Sequence, residues 1–124
     1  MRRAVSTNEA PPPAGSYSQA VRWGDLLLIS GQTPRRTNGE RMSGPFRDQA
    51  EQTYANVRAL ARAGGATMDD ALRVTVYLQD HGDSAEADAA FAAAFPEPRP
   101  ARTTIVCAIP FAIEVDAIFG IRAS

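Results

Sequence analysis

From Tyr17 to Trp23 the chain alternates, with Tyr17, Gln19, Val21 and Trp23 on one side and Ser18, Ala20 and Arg22 on the other, which predicts a β-strand. Gly24-Asp25 gives a turn into Leu26-Leu27-Leu28-Ile29, so the two runs predict a hairpin. The second run is apolar on both faces and predicts a strand inside a sheet. Beyond Ser30-Gly31-Gln32 a polar loop carries the turn dipeptide Asn38-Gly39. Between Pro45 and Ala63, positions Ala50, Tyr54, Val57, Leu60 and Ala61 recur at helical spacing, and Gly64-Gly65 supplies a left-handed stop. Leu72, Val74, Val76 and Leu78 alternate with Arg73, Thr75, Tyr77 and Gln79, giving a third strand with one buried face. Asp83 with Glu86 predicts a capping box, Ala87, Phe91, Ala94 and Phe95 form a stripe, and Pro96 ends the second helix. Arg102 to Ile109 and Phe111 to Phe119 read as the last two strands.

The order β-β-α-β-α-β-β predicts an α+β fold, a single sheet with two helices on one face. Residues 15–124 form one domain, and residues 1–14, with Pro11-Pro12-Pro13, form a flexible, partly extended lead-in. Two helices cover only one face of the sheet, so the other is expected to meet another subunit. The connection at Ala108-Ile109-Pro110 allows either a hairpin or a crossing over a neighbouring strand.

Composition narrows the function classes. The chain has 124 residues, large enough for one core but too small to enclose a deep cavity comfortably, so a site is expected to borrow a neighbouring subunit. Lysine is absent; 13 arginines balance 14 acids to a net charge of -1, and no polyanion field follows. Arg35, Arg36 and Arg41 around Asn38-Gly39 read as a solvated basic hairpin tip, with nucleic-acid contact as the minor alternative. One cysteine, Cys107, and one histidine, His81, exclude an internal disulfide and are too few for an all-protein zinc site, so no metal is expected. Cys107 reads as a small buried hydrophobe and His81 as a loop residue. No stretch has the roughly 20 apolar residues of a membrane helix, and the expected location is the cytoplasm.

Charges inside strands call for a use, because burying them unpaired is costly. In the last strand Phe111, Ile113, Val115, Ala117 and Phe119 share one face and leave Glu114 and Asp116 on the other, about 7 Å apart. Arg102 and Thr104 share a face of the preceding strand, and both polar sets are expected on the side away from the helices. The competing reading of Arg102 is a surface pair with Glu97 or Asp116, and that of Glu114 an interface salt bridge; Asp116 reads as structural.

The blocks Gly15-Ser16-Tyr17-Ser18-Gln19-Ala20-Val21, Ser30-Gly31-Gln32-Thr33-Pro34, Glu51-Gln52-Thr53, Pro100-Ala101-Arg102-Thr103 and Ile113-Glu114-Val115-Asp116-Ala117 are each short, but their order and spacing resemble the RidA (YjgF) family from about residue 10 to residue 120. The resemblance implies a chorismate-mutase-like fold assembled as a homotrimer with sites at the subunit junctions. It implies hydrolytic deamination of reactive enamines and imines, of the 2-aminoacrylate type, to 2-oxo acids and ammonia, without a cofactor. Arg102 then matches the carboxylate anchor and Glu114 the acid that positions water, while Tyr17, Ser30, Gly31 and Thr104 match positions bordering the ligand. Arginine suits its role because a guanidinium grips a carboxylate with two prongs and keeps its charge. Ser16 replaces the family's usual proline, and the segment Phe95 to Arg102 is rich in proline; both bear on substrate identity more than on reaction type. A non-catalytic trimeric binder or sensor of small carboxylates that modulates a partner protein is the alternative; it keeps Arg102 and does not need Glu114.

Overall fold

The alternating runs assemble into one mixed sheet of six strands in the computed structural model, which describes residues 1–122. The strands are β1 (Arg3–Val5), β2 (Ala20–Trp23), β3 (Leu26–Gln32), β4 (Ala71–Leu78), β5 (Ala101–Val106) and β6 (Ile113–Gly120), and the spatial order is β1-β2-β3-β6-β4-β5. Helices α1 (Phe46–Ala63) and α2 (Ser84–Ala94) pack on one face, giving the expected α+β layer.

Strand parity decides what the helices cover. Leu27 and Ile29 of β3, Val74, Val76 and Leu78 of β4, and Ile113, Val115, Ala117 and Phe119 of β6 are buried together with Tyr54, Val57 and Leu60 of α1 and Phe91 of α2. Complete burial of a side chain such as Leu or Phe contributes about 1.5–3 kcal/mol. Tyr54 meets Phe95 edge-on, with ring centroids 5.7 Å apart. The two glycines after α1 divide the work: Gly65 takes the left-handed conformation, φ +92°, that stops the helix. Gly64 lies so close to the sheet that a Cβ there would meet Leu27 Cδ2 at 2.5 Å.

The lead-in departs from its expected looseness. Arg3–Val5 pairs with β2 as an edge strand, and the side chain of Gln19, only 6% exposed, ties down the following loop. Its amide donates to the carbonyls of Thr7 (3.1 Å), Ala10 (3.4 Å) and Pro11 (2.9 Å), while its oxygen accepts from the Thr7 amide at 2.9 Å. Consequently Tyr17 to Gln19 do not join the expected strand, and β2 begins at Ala20. Two further expectations fail locally. Leu72 sits at an irregularity in the β4–β6 register and is exposed, leaving Ala71 to be buried. Asp83 makes no side-chain cap at α2, because His81–Asp83 already forms a helical turn running into it; a capping box closes instead at Thr67 and Asp70.

The open connection resolves as a crossing. β5 runs parallel to β4, with α2 supplying the crossover that a parallel pair requires, and β6 returns antiparallel on the other side of β4. The loop between them is anchored where it passes the end of β4, by Cys107 N donating to Leu78 O (3.0 Å) and the Gln79 side chain donating to Ile109 O (3.0 Å). The face away from the helices leaves Trp23, Leu26 and Leu28 exposed in the single chain.

Candidate active site

Glu114 projects from β6 on the side away from the helices, opposite Tyr77 of β4, while its neighbours Ile113 and Val115 are buried. It lines a cleft of about 160 Å³ with Tyr17, Gln19, Gly31, Gln32, Arg35 and Phe111, walled by Pro11–Pro13. Gly31 makes room for the carboxylate: a Cβ at that position would lie 2.3 Å from Glu114 Oε2. Such close approach explains a glycine in the middle of a strand end. Burial first, and then repulsion from Asp116, raise the Glu114 carboxyl above its ordinary 4.5. No ion pair forms at Glu114 among the described residues. Asp116, in contrast, accepts a hydrogen bond from the Tyr77 hydroxyl at 2.8 Å, in keeping with a structural role.

Tyr17 is 51% exposed at the mouth, its hydroxyl accepting from the Ala14 amide at 3.0 Å. Ser30 borders the cleft through its chain neighbour Gly31, but its own hydroxyl is committed, donating to Ser18 O at 2.7 Å and fixing the Tyr17 loop to β3. Thus Tyr17, Gly31 and Glu114 come together within one chain.

Arg102 and Thr104 do not join them, and the expectation that both polar sets share the side away from the helices is corrected by the register. Arg102 pairs with Val74 and Thr104 with Val76, both helix-facing, whereas Glu114 pairs with Tyr77 on the opposite face. Alternation along each strand leaves no other outcome. The guanidinium of Arg102 instead donates to Asp88 at 2.9 Å and lies 4.7 Å from the centre of the Phe91 ring. Asp88 is largely exposed, and a pair of this kind is worth about 0–1 kcal/mol, so a ligand carboxylate can take its place. β5 is the outermost strand, with most of its residues exposed.

The sequence signal missed Gln19, Phe111 and Arg35. Phe111 precedes β6 rather than starting it, and turns to the cleft. Arg35 is not a solvated tip residue; its guanidinium lies 5.9 Å from the centre of the Phe111 ring, and Arg41 approaches the same ring at 4.5 Å while donating to Pro110 O. The signal available was the aromatic at the start of a charged strand, which alternation alone assigns to the core. Cys107 is only partly buried. Among the described residues no three His, Cys, Asp or Glu side chains gather as a metal site, and no helix is long and apolar enough to cross a membrane.

Comparison with known proteins places the chain in a family. The family model described as Endoribonuclease L-PSP matches residues 7–119. The chain belongs to the RidA/YjgF/L-PSP family. Within that family it is 38% identical over 122 residues to a RutC family protein of Pyrococcus horikoshii, covering 95% of this chain and 97% of that protein. It is 37% identical over 126 residues to a 2-iminobutanoate/2-iminopropanoate deaminase of Dermatophagoides farinae, covering 98% of each. The crystal structure of RidA from an Antarctic Psychrobacter superposes with a TM-score of 0.92 at 34% identity, covering 96% of this chain and 99% of that one. The YjgF structure from E. coli gives 0.88 at 33% identity, covering 97% and 99%. A mitochondrial yeast protein, MMF1, is 32% identical over 113 residues, covering 90% of this chain and 78% of that protein, so RidA membership does not fix the compartment.

Proposed function

We propose that this RidA protein hydrolyses reactive enamine and imine acids of the 2-aminoacrylate type to 2-oxo acids and ammonia. The observation that carries the reading is Glu114: a half-buried carboxylate with a raised proton affinity, seated against Gly31 and lining a small cleft without an ion-pair partner among the described residues. An enamine first takes a proton on carbon and becomes the imine. Water, held by Glu114, attacks the imine carbon as its proton passes to the carboxylate, and the C=N π pair moves onto nitrogen. The nitrogen is then protonated, the C–N bond breaks as the hydroxyl proton leaves, and the products are a carbonyl and ammonia. Positioned acid–base help of this kind contributes about 10²–10⁴-fold.

The substrate carboxylate is assigned to Arg102 of an adjoining protomer. Three features support this: β5 is an edge strand, the one carboxylate paired with Arg102 among the described residues is the exposed Asp88, and the open sheet face with Trp23, Leu26 and Leu28 offers a surface for assembly. A homotrimer closing each cleft with the next protomer's β5 is part of the same proposal, as are a cytoplasmic site of action and catalysis by the chain's own residues without a cofactor. Tyr17 lines the mouth, and Thr104, on the face of Arg102, would border the ligand from that second protomer. Nucleic-acid action is less well supported, because Arg35 and Arg41 are both engaged with Phe111.

The test couples the protein, its assembly checked by light scattering, to an enzyme releasing 2-aminoacrylate and times oxo-acid formation. Acceleration over the spontaneous rate that Glu114→Ala abolishes supports the deaminase. No acceleration by the wild-type protein overturns it, and retained binding of a small 2-oxo acid would then favour the sensor reading.

A further inference from the structure

Arg35 is an expensive residue in its position. Its Nε is buried without a hydrogen-bond partner, and no carboxylate pairs with the guanidinium among the described residues. A buried donor left unmade costs free energy, more so on a charged group. The side chain nevertheless lines the same cleft as Glu114.

The backbone beneath it is built to hold it there. Asn56 of α1, 1% exposed, donates from Nδ2 to the carbonyls of Thr33 (3.2 Å) and Arg35 (2.9 Å), and its own oxygen accepts from Gln52 Nε2 at 3.0 Å. Met42 N donating to Pro34 O at 2.8 Å and the bridge between Arg35 and Arg41 close the loop on itself. The face of Phe111 supports the guanidinium from below. A rigidly presented guanidinium without a carboxylate partner among the described residues, lining the same cleft as Glu114, can receive an anion within the protomer, separately from Arg102 on the opposite face of the sheet.

We propose that Arg35 binds a second acidic group of the substrate, so that the preferred ligands are imines of 2-oxo dicarboxylic acids rather than of simple aliphatic ones. The first carboxylate goes to the anchor on β5, the imine carbon faces Glu114, and the distal carboxylate reaches the Arg35 fork. A cleft of about 160 Å³ has room for a short carbon chain such as that of an acid of four or five carbons. The reaction is unchanged: imine plus water gives the 2-oxo diacid plus ammonia.

For turnover this rests on the deaminase reading, whereas for binding it does not, and the experiment separates the two. Calorimetry on the assembled protein compares 2-oxoglutarate with 2-oxopentanoate, which replaces the distal carboxylate by a methyl group. The wild type is expected to prefer the diacid by about 10- to 100-fold, the range for a charge-assisted hydrogen-bonded pair. Arg35→Gln should erase that preference, and Arg35→Lys, which lacks the fork, should keep only part of it. Arg41→Gln, which removes the other cation over Phe111 but no group lining the cleft, should retain it. Equal binding of the two acids by wild type, no binding of either, or an undiminished preference in Arg35→Gln overturns the proposal. A preserved preference with no turnover of any imine would instead sink the deaminase reading and leave the subsite standing.

Discussion

Replacing Gly31 with alanine isolates the placement of the Glu114 carboxylate. The added Cβ would stand 2.3 Å from Oε2, 3.1 Å from Cδ and 3.3 Å from Cγ. Ordinary van der Waals contact begins near 3.4 Å, so Oε2 has to retreat by the difference between 3.4 and 2.3, or roughly 1 Å, a misplacement that typically costs about 10²-fold in rate. The backbone at Gly31 is not left-handed, and the obstructing atoms are the end of a flexible side chain, so folding should be affected little: about 1 kcal/mol in either direction, since alanine also restricts the unfolded chain. Steady-state oxo-acid formation gives kcat, and thermal unfolding gives stability. The expected result is a fall in kcat of about 10²-fold with Tm within roughly 5 °C of wild type. The double variant Gly31→Ala with Glu114→Ala should be no slower than Glu114→Ala alone, because the carboxylate that the methyl displaces is gone. The reasoning fails if Gly31→Ala keeps kcat within about threefold, or if the two losses multiply.

The raised Glu114 carboxyl has consequences for pH. Between 4.5 and its higher folded value the unfolded chain binds fewer protons than the folded one, so this group withdraws stability as pH rises through that window. Unfolding curves should therefore show Glu114→Gln gaining on wild type as pH rises from 4.5 through the raised folded value, while the acid limb of wild-type activity lies above the ordinary carboxylate range. Gln19→Leu leaves the Thr7 amide and three carbonyls of the lead-in without their partner; a loss of at least about 2 kcal/mol, faster proteolysis within residues 1–14 and a higher KM are expected, and unchanged proteolysis would refute the clamp. Gly64→Ala forces Leu27, fully buried, away from its site at a cost of about 1–3 kcal/mol in denaturant unfolding, without a change in kcat.

Several features were legible in the residues because they depend on periodicity within one element. The burial of Val57 and Leu60 on α1, of Val74, Val76 and Leu78 on β4, and the exile of Glu114 and Asp116 from the core of β6 all follow from repeats of 3.6 or 2. The short blocks around Gly31 and Glu114 also pointed to the family. What periodicity does not carry is which strands adjoin and in what register. Only the tertiary structure could show that β4 lies between β5 and β6, and with that register Arg102 and Glu114 fall on opposite faces of the sheet.

Long-range polar contacts were equally silent in the sequence. Gln19 looked like one polar position in an alternating strand, yet four hydrogen bonds across 8–12 residues make it the organiser of the lead-in that walls the cleft. Arg35 looked like a hairpin-tip charge until Asn56, 21 residues on, fixed its backbone and Phe111 received its guanidinium. The sequence by itself determined both helices, five of the six strands, their apolar faces and the family, since those rest on local repeats and short blocks, whereas β1 owes its place to pairing with β2. The tertiary structure alone decided which charges share a cavity, because a hydrogen bond or a cation over a ring depends on distances set by the packing of elements far apart in the chain.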